Sequence, residues 1–167
     1  MIKKPRNTGS IRTSEAIVQG LITRRSDKKP SILIIDDDKL LLNVYRVLLE
    51  REGYRVLTAE DGLSGLELLK KEKPTPALTL VDCSMPKMDG ESFLKKLQME
   101  NPEILVKSKV VGLTAFDPAS EFFIKIRELA FDCREKPFGI NGIKELVSEY
   151  LKLELDSYYP HGKKKNS

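Results

Sequence analysis

Leu80-Val81-Asp82-Cys83-Ser84-Met85-Pro86-Lys87-Met88-Asp89-Gly90 is the stretch whose reading decides the fold. An apolar run (Leu78, Leu80, Val81) ends abruptly in a carboxylate, and a Met-Pro pair and an Asp-Gly turn follow at once. A short apolar run bounded by such breakers reads as a buried strand. Asp82 therefore stands where the strand leaves its sheet, at the carboxyl end. In open α/β sheets that edge is where ligands bind. An aspartate there can also do no more than start a turn, so the rest of the chain has to decide.

Upstream, Ser31-Ile32-Leu33-Ile34-Ile35 is a continuous β-branched run, the pattern of a parallel strand covered on both faces, and it runs into Asp36-Asp37-Asp38. A helix follows with Leu41, Val44, Tyr45, Leu48 and Leu49 on one stripe, stopped by Gly53. Tyr54–Thr58 reads as a second strand, and Gly62–Lys73, carrying Leu63, Leu66 and Leu69, as a second helix ended by Pro74 and Pro76. Downstream, Phe93, Leu94 and Leu97 place a third helix over Glu91–Glu100, and Val110–Leu113 is a fourth strand ending at Thr114. Ser120–Ala130 reads as the fourth helix, with Phe122, Ile126 and Leu129 inward and Phe123 and Ile124 outward. Cys133–Glu135 is a short fifth strand before Lys136-Pro137-Phe138, and Ile143, Leu146, Val147, Tyr150 and Leu151 mark a long last helix. Five βα units call for a parallel sheet with helices on both faces. Right-handed crossovers then favour a doubly wound, flavodoxin-like sheet of order 2-1-3-4-5.

Composition narrows the chemistry. The chain has 167 residues, enough for one domain with extensions. His161 is the only histidine, which argues against Ser-His and Cys-His catalysis and against histidine-rich metal sites. The two cysteines, Cys83 and Cys133, fit neither a disulfide framework nor a zinc spacing, so a reducing cytoplasm is the expected home. No run approaches the length of a membrane span. Charge is segregated: residues 1–29 carry +6 and residues 157–167 carry +3, leaving −5 for residues 30–156 out of a total of +4. An acidic domain over residues 31–153 thus lies between a basic extension at 1–30 and a basic tail at 154–167. Within the first extension Ser14 can cap a helix over residues 14–25, with Ile17, Val18, Leu21 and Ile22 on one face, which is expected to dock on this domain or on a partner.

The topology delivers Asp36 and Asp37 from the first strand, Asp82 from the third, Thr114 from the fourth and Lys136 after the fifth to one edge. Carboxylates about 4 Å apart repel by roughly 4 kcal/mol per pair at an effective dielectric of 20. They call for a cation, and an all-oxygen donor set suits Mg2+ or a similar hard ion. A hydroxyl and an ammonium facing that cluster suit an anion, with phosphoryl the best fit. Singly, each of these residues has a purely structural reading: a helix cap, a strand end or a solvated turn.

Together, Ile34-Ile35-Asp36-Asp37-Asp38, Asp82-x-x-Met85-Pro86-x-Met88-Asp89-Gly90, Leu113-Thr114-Ala115 and Lys136-Pro137-Phe138 resemble the receiver domain of two-component response regulators over residues 31–153. The resemblance implies a phosphorelay role in which Asp82 accepts a phosphoryl group from a phosphohistidine on a sensor histidine kinase or histidine phosphotransfer protein. It implies Mg2+ held by Asp37, Asp82 and the Ser84 backbone carbonyl, with Asp36 acting through water. Lys136, ahead of a cis bond to Pro137, and Thr114 with Ala115 would meet the phosphoryl group. Such a domain is a regulatory phosphoacceptor rather than an enzyme. Three departures stand out. Cys133 occupies the place of the family's aromatic rotor, three residues before the lysine. Phe116 is bulky for its position, and residues 101–109 are long for a helix–strand connection. A stand-alone receiver would signal by docking a downstream protein on its fourth helix, fifth strand and fifth helix.

Three other readings use the same residues. Asp36-x-Asp38 matches the aspartyl nucleophile motif of haloacid-dehalogenase-type phosphatases, but Leu40 stands where they carry Thr or Val, and a late acidic pair is missing. A degenerate receiver serving as a scaffold would explain Cys133 but not the complete acidic set. A nucleic-acid binder would use Tyr158 and Tyr159 beside Lys163–Lys165, for which a solubilising tail is the simpler account.

Overall fold

The computed structural model describes residues 30–136 and 139–158. The expected docking helix at 14–25, the basic residues of both extensions and the Lys136-Pro137 bond lie outside the described residues. Five strands, β1 (Ser31–Ile35), β2 (Arg55–Ala59), β3 (Leu78–Asp82), β4 (Lys109–Thr114) and β5 (Asp132–Glu135), form one parallel sheet of order β2-β1-β3-β4-β5. The helices are α1 (Lys39–Arg51), α2 (Gly62–Lys71), α3 (Gly90–Glu100), α4 (Pro102–Lys107), α5 (Glu121–Leu129) and α6 (Ile140–Tyr158).

Strand alternation splits the core in two. Ile32, Ile34, Leu78, Leu80, Val111 and Leu113 face α1 and α6, meeting Leu42, Tyr45, Leu49, Ile143, Val147 and Tyr150. Leu33, Ile35, Val81 and Val110 face the opposite layer, with Leu66, Leu69, Phe93, Leu94, Leu97, Ile104, Phe123 and Ile126. The continuous apolar strands seen in the sequence are thus buried on both sides, as a parallel sheet requires. Thr79 is a buried polar residue within β3, and its hydroxyl shares a 2.9 Å hydrogen bond with Ser108.

Side-chain caps start α1, α2, α3 and α5. Asp38 accepts from the N–H groups of Leu40 and Leu41, Asp61 from Ser64, Asp89 from Ser92 and Ser120 from Phe123. Most expected inward residues face the core, Tyr45 and Leu49 on α1, Leu66 and Leu69 on α2 and Ile126 on α5 being buried, and single positions on each of these helices depart. On α1 the inward residues are Leu42, Tyr45 and Leu49, while Val44 is exposed. On α2, Gly62 and Gly65 lie inward and Leu63 points out. The reason is space: a Cβ on Gly65 would stand 2.4 Å from Ile35 Cδ1 and one on Gly62 2.9 Å from the Met88 side chain. On α5, Phe123 is buried with Ile126, while Phe122 is half-buried and packs on Phe116. The Ser120 cap holds the Phe123 N–H and turns that residue, rather than Phe122, toward the sheet. The long 101–109 connection contains α4, with Pro102 in its first turn and Ile104 buried.

Candidate functional site: an acidic cluster with one ammonium

Register brings the predicted residues to one edge. Ile35 pairs with Val81 and Asp82 with Leu113, so Asp36 and Asp82 leave neighbouring strands one step beyond a shared level. Thr114 ends β4 opposite Glu135, and its carbonyl accepts the Lys136 N–H. That bond fixes where Lys136 departs from β5. Its Nζ lies 2.6 Å from Asp36 Oδ2 and 2.9 Å from Asp82 Oδ2. Asp36 and Asp82 are buried and Asp37 is exposed, yet one carboxylate oxygen of each lies within 4.8 Å of the others.

Backbone donors hold the buried carboxylates. Asp36 Oδ1 accepts the Asp38 N–H at 3.0 Å, and Asp82 Oδ1 accepts the Ser84 N–H, also at 3.0 Å. Asp38 itself turns outward to cap α1, which accounts for the third member of the acidic triplet. Desolvation pushes the Asp36 carboxyl above its ordinary value, and the hydrogen bond from Lys136 offsets only part of that. Burial works against the Lys136 charge, but the hydrogen bonds and charges of Asp36 and Asp82 outweigh it and hold the ammonium above its ordinary value. Among the described residues, three carboxylates face one ammonium. The oxygen-only donors, their closeness and the strain on Asp36 fit a hard divalent cation.

Thr114 is fully buried, and its hydroxyl accepts the Phe116 N–H at 3.1 Å, starting the exposed Ala115–Ala119 turn. The Phe116 ring leans on Phe122 with centroids 4.8 Å apart. Cys133 is not at the open edge. It lies buried beneath it with Cys83: a Cβ on Gly112 would meet the Cys83 Sγ at 3.1 Å and the Cys133 Sγ at 3.7 Å. Hydrogen bonding to Cys133 and burial raise the Cys83 thiol far out of the titrating range. Sequence reasoning missed this thiol pair, because nothing in the spacing of residues 83 and 133 announces that Gly112 stands between them. It also missed the Phe116–Phe122 contact, which depends on the phase of α5.

Residues 32–148 match the family model of the response regulator receiver domain. The chain belongs to that family. It is 32% identical over 124 residues to the Bacillus subtilis sporulation initiation phosphotransferase F, an alignment covering 74% of this chain and 94% of that protein. It is 31% identical to the probable transcriptional regulatory protein TcrX of Mycobacterium tuberculosis, covering 72% of this chain but only 49% of that protein. Among solved structures it resembles the receiver domain of the Francisella response regulator 1452, at 28% identity and a TM-score of 0.64 over 77% of this chain and 99% of that one. This receiver is therefore a regulatory signalling domain of a two-component system rather than a classical enzyme. Receivers bind Mg2+ at an acidic cluster, and Asp36, Asp37 and Asp82 form a group of that kind. No described helix is long and apolar enough to cross a membrane.

Proposed function

We propose that Asp82 is the phosphoacceptor, taking a phosphoryl group from a phosphohistidine on a sensor histidine kinase or histidine phosphotransfer protein. The observation that carries this reading is the buried Asp82 carboxylate, which lies 2.9 Å from the Lys136 ammonium and within 4.8 Å of the Asp36 and Asp37 oxygens. In the transfer, an Asp82 oxygen forms the bond to phosphorus as the bond to the donor's imidazole nitrogen breaks, and the imidazole takes up a proton from water. Asp37, Asp82, the Ser84 carbonyl and, through water, Asp36 would hold Mg2+, which neutralises charge on the phosphoryl oxygens when bound.

Lys136 already donates to Asp82 and carries a charge secured by two carboxylates, so it is ready to pair with a phosphoryl oxygen. Thr114 gives its hydroxyl to a phosphoryl oxygen by exchanging its present bond with the Phe116 N–H, and the Ala115 N–H, next along the turn, is a further donor. That exchange moves the Ala115–Ala119 turn and, through Phe116 and Phe122, the outer face of α5. The downstream partner docks on α5, β5 and α6, where Ile124 and Phe131 are exposed. Phe116 also screens the edge from water. Residues 31–153 form the receiver, and the basic segments on either side serve association rather than chemistry.

The test is phosphorylation by a small acyl phosphate or phosphoramidate with Mg2+, followed by intact-mass measurement. One acid-stable, base-labile phosphoryl group is expected on the wild type and none on Asp82→Asn. Equal labelling of both proteins assigns the chemistry elsewhere. A wild type that takes up none, while remaining folded, favours a phosphorylation-independent scaffold.

A further inference from the structure

The caps that phase α1 leave it with a second apolar face. Leu40, Val44 and Val47 are 74%, 38% and 46% exposed. Their i, i+4, i+7 spacing places them in one line on the side opposite the buried Leu42, Tyr45 and Leu49. Scattered exposed apolar residues are ordinary, but three in one line along a single helix make a continuous stripe.

We propose that residues 14–25 of the same chain cover this stripe as a helix running parallel to α1. The first argument is where the chain enters the domain. Ser31 starts β1 level with Arg55, and the Tyr54 N–H donates to the carbonyl of Leu49 in the last turn of α1. The chain upstream of Ser31 therefore arrives beside the carboxyl end of α1. The second is reach. Six Cα steps from Arg25 to Ser31 span up to about 20 Å. Lying outside α1 requires crossing two layers at about 8–10 Å each. The tether reaches with little to spare, which sets Arg25 no farther along the proposed seat than the last turn of α1.

Length and pattern agree with that placement. Twelve helical residues span about 18 Å, matching the 13 residues of α1. Ile17, Val18, Leu21 and Ile22 make a single face of the width the stripe offers. Alone, so short a helix is marginal in water and needs a surface to form on.

Backbone amide exchange on the full chain tests the seating, with wild type compared against Val47→Asp, Leu21→Asp and, as a control on α2, Leu63→Asp. Val47 and Leu63 are exposed, and persistent protection of β3 amides reports an intact fold in every variant. Amides of residues 17–25 should exchange at least ~10-fold slower than an unstructured chain in the wild type and in Leu63→Asp. They should return to the unstructured rate in both Val47→Asp and Leu21→Asp. Unstructured exchange in the wild type overturns the proposal. So does protection that survives Val47→Asp, which seats the segment elsewhere. Protection that fades on dilution also overturns it, assigning the stripe to the segment of a second copy.

Discussion

Asp36 shows how a single residue carries the tension of the site. It is buried, it accepts one backbone N–H, and it shares one ammonium with Asp82 while Asp37 stands close by. Its carboxyl is raised by desolvation first, so its ionised form is disfavoured in the folded protein. A carboxyl raised on folding lowers stability once pH exceeds the unfolded value of 3.8, and the cost is complete above the folded value. Asp36→Asn keeps an acceptor for the Asp38 N–H and removes that cost. In metal-free buffer the variant should melt higher than the wild type at neutral pH, and the difference should close as pH falls toward 3.8. Equal melting at pH 7 would show that Lys136 already compensates Asp36 in full. Lys136 works with the opposite sign: its raised value stabilises below 10.5, and that contribution is lost as pH rises through the folded value.

At the scale of elements, the switch is constrained by what lies under β4. Gly112 leaves no room: a Cβ there would stand 2.5 Å from Ile126 Cγ2, and the two cysteine sulfurs fill the remaining space. Cys133 therefore offers neither a ring to rotate nor a void to rotate it into. The Ala115–Ala119 turn is exposed rather than packed under the sheet, and is held by the Phe116 N–H to the Thr114 hydroxyl and the Ala119 N–H to Asp117. Amide exchange with and without a beryllofluoride phosphoryl mimic should change in residues 115–119 more than in Asp132–Glu135. A dominant change in β5 with a quiet turn would refute this. Strand order and the Asp36, Asp37, Asp82, Thr114 and Lys136 edge were legible in the sequence, because buried parallel strands leave long apolar runs ending at their carboxyl edge. Helix faces were less so. Leu41–Leu42 on α1 and Phe122–Phe123 on α5 are adjacent apolar pairs, and periodicity cannot say which member faces inward until a cap or a crowded glycine sets the phase. The α4 turn was hidden for another reason: six residues are too few to display a period.

For the whole molecule, the acidic cluster makes folding answerable to metal. A cation bound only by the folded chain stabilises it by about 2.7 kcal/mol at one hundred times its dissociation constant. For a chain of this length that is a rise in melting temperature of roughly 5–11 °C. Mg2+ should therefore raise the melting point of the wild type, and Asp37→Asn should remove most of the rise. Asp37 is the suitable probe because it is exposed, so its substitution reports on the ion more than on packing. Protons compete for the same oxygens. Since Asp36 is raised by burial, the Mg2+-dependent rise should shrink as pH falls through its titration, before ordinary exposed aspartates protonate. The −5 charge of residues 30–156 also attracts divalent ions non-specifically, but that attraction is screened by salt over about 8 Å at physiological ionic strength. A rise that persists in 0.5 M KCl and disappears with Asp37→Asn belongs to the cluster. A rise that salt abolishes, or that Asp37→Asn leaves intact, would place the ion on the diffuse acidic surface and remove the metal from the chemistry assigned to Asp82.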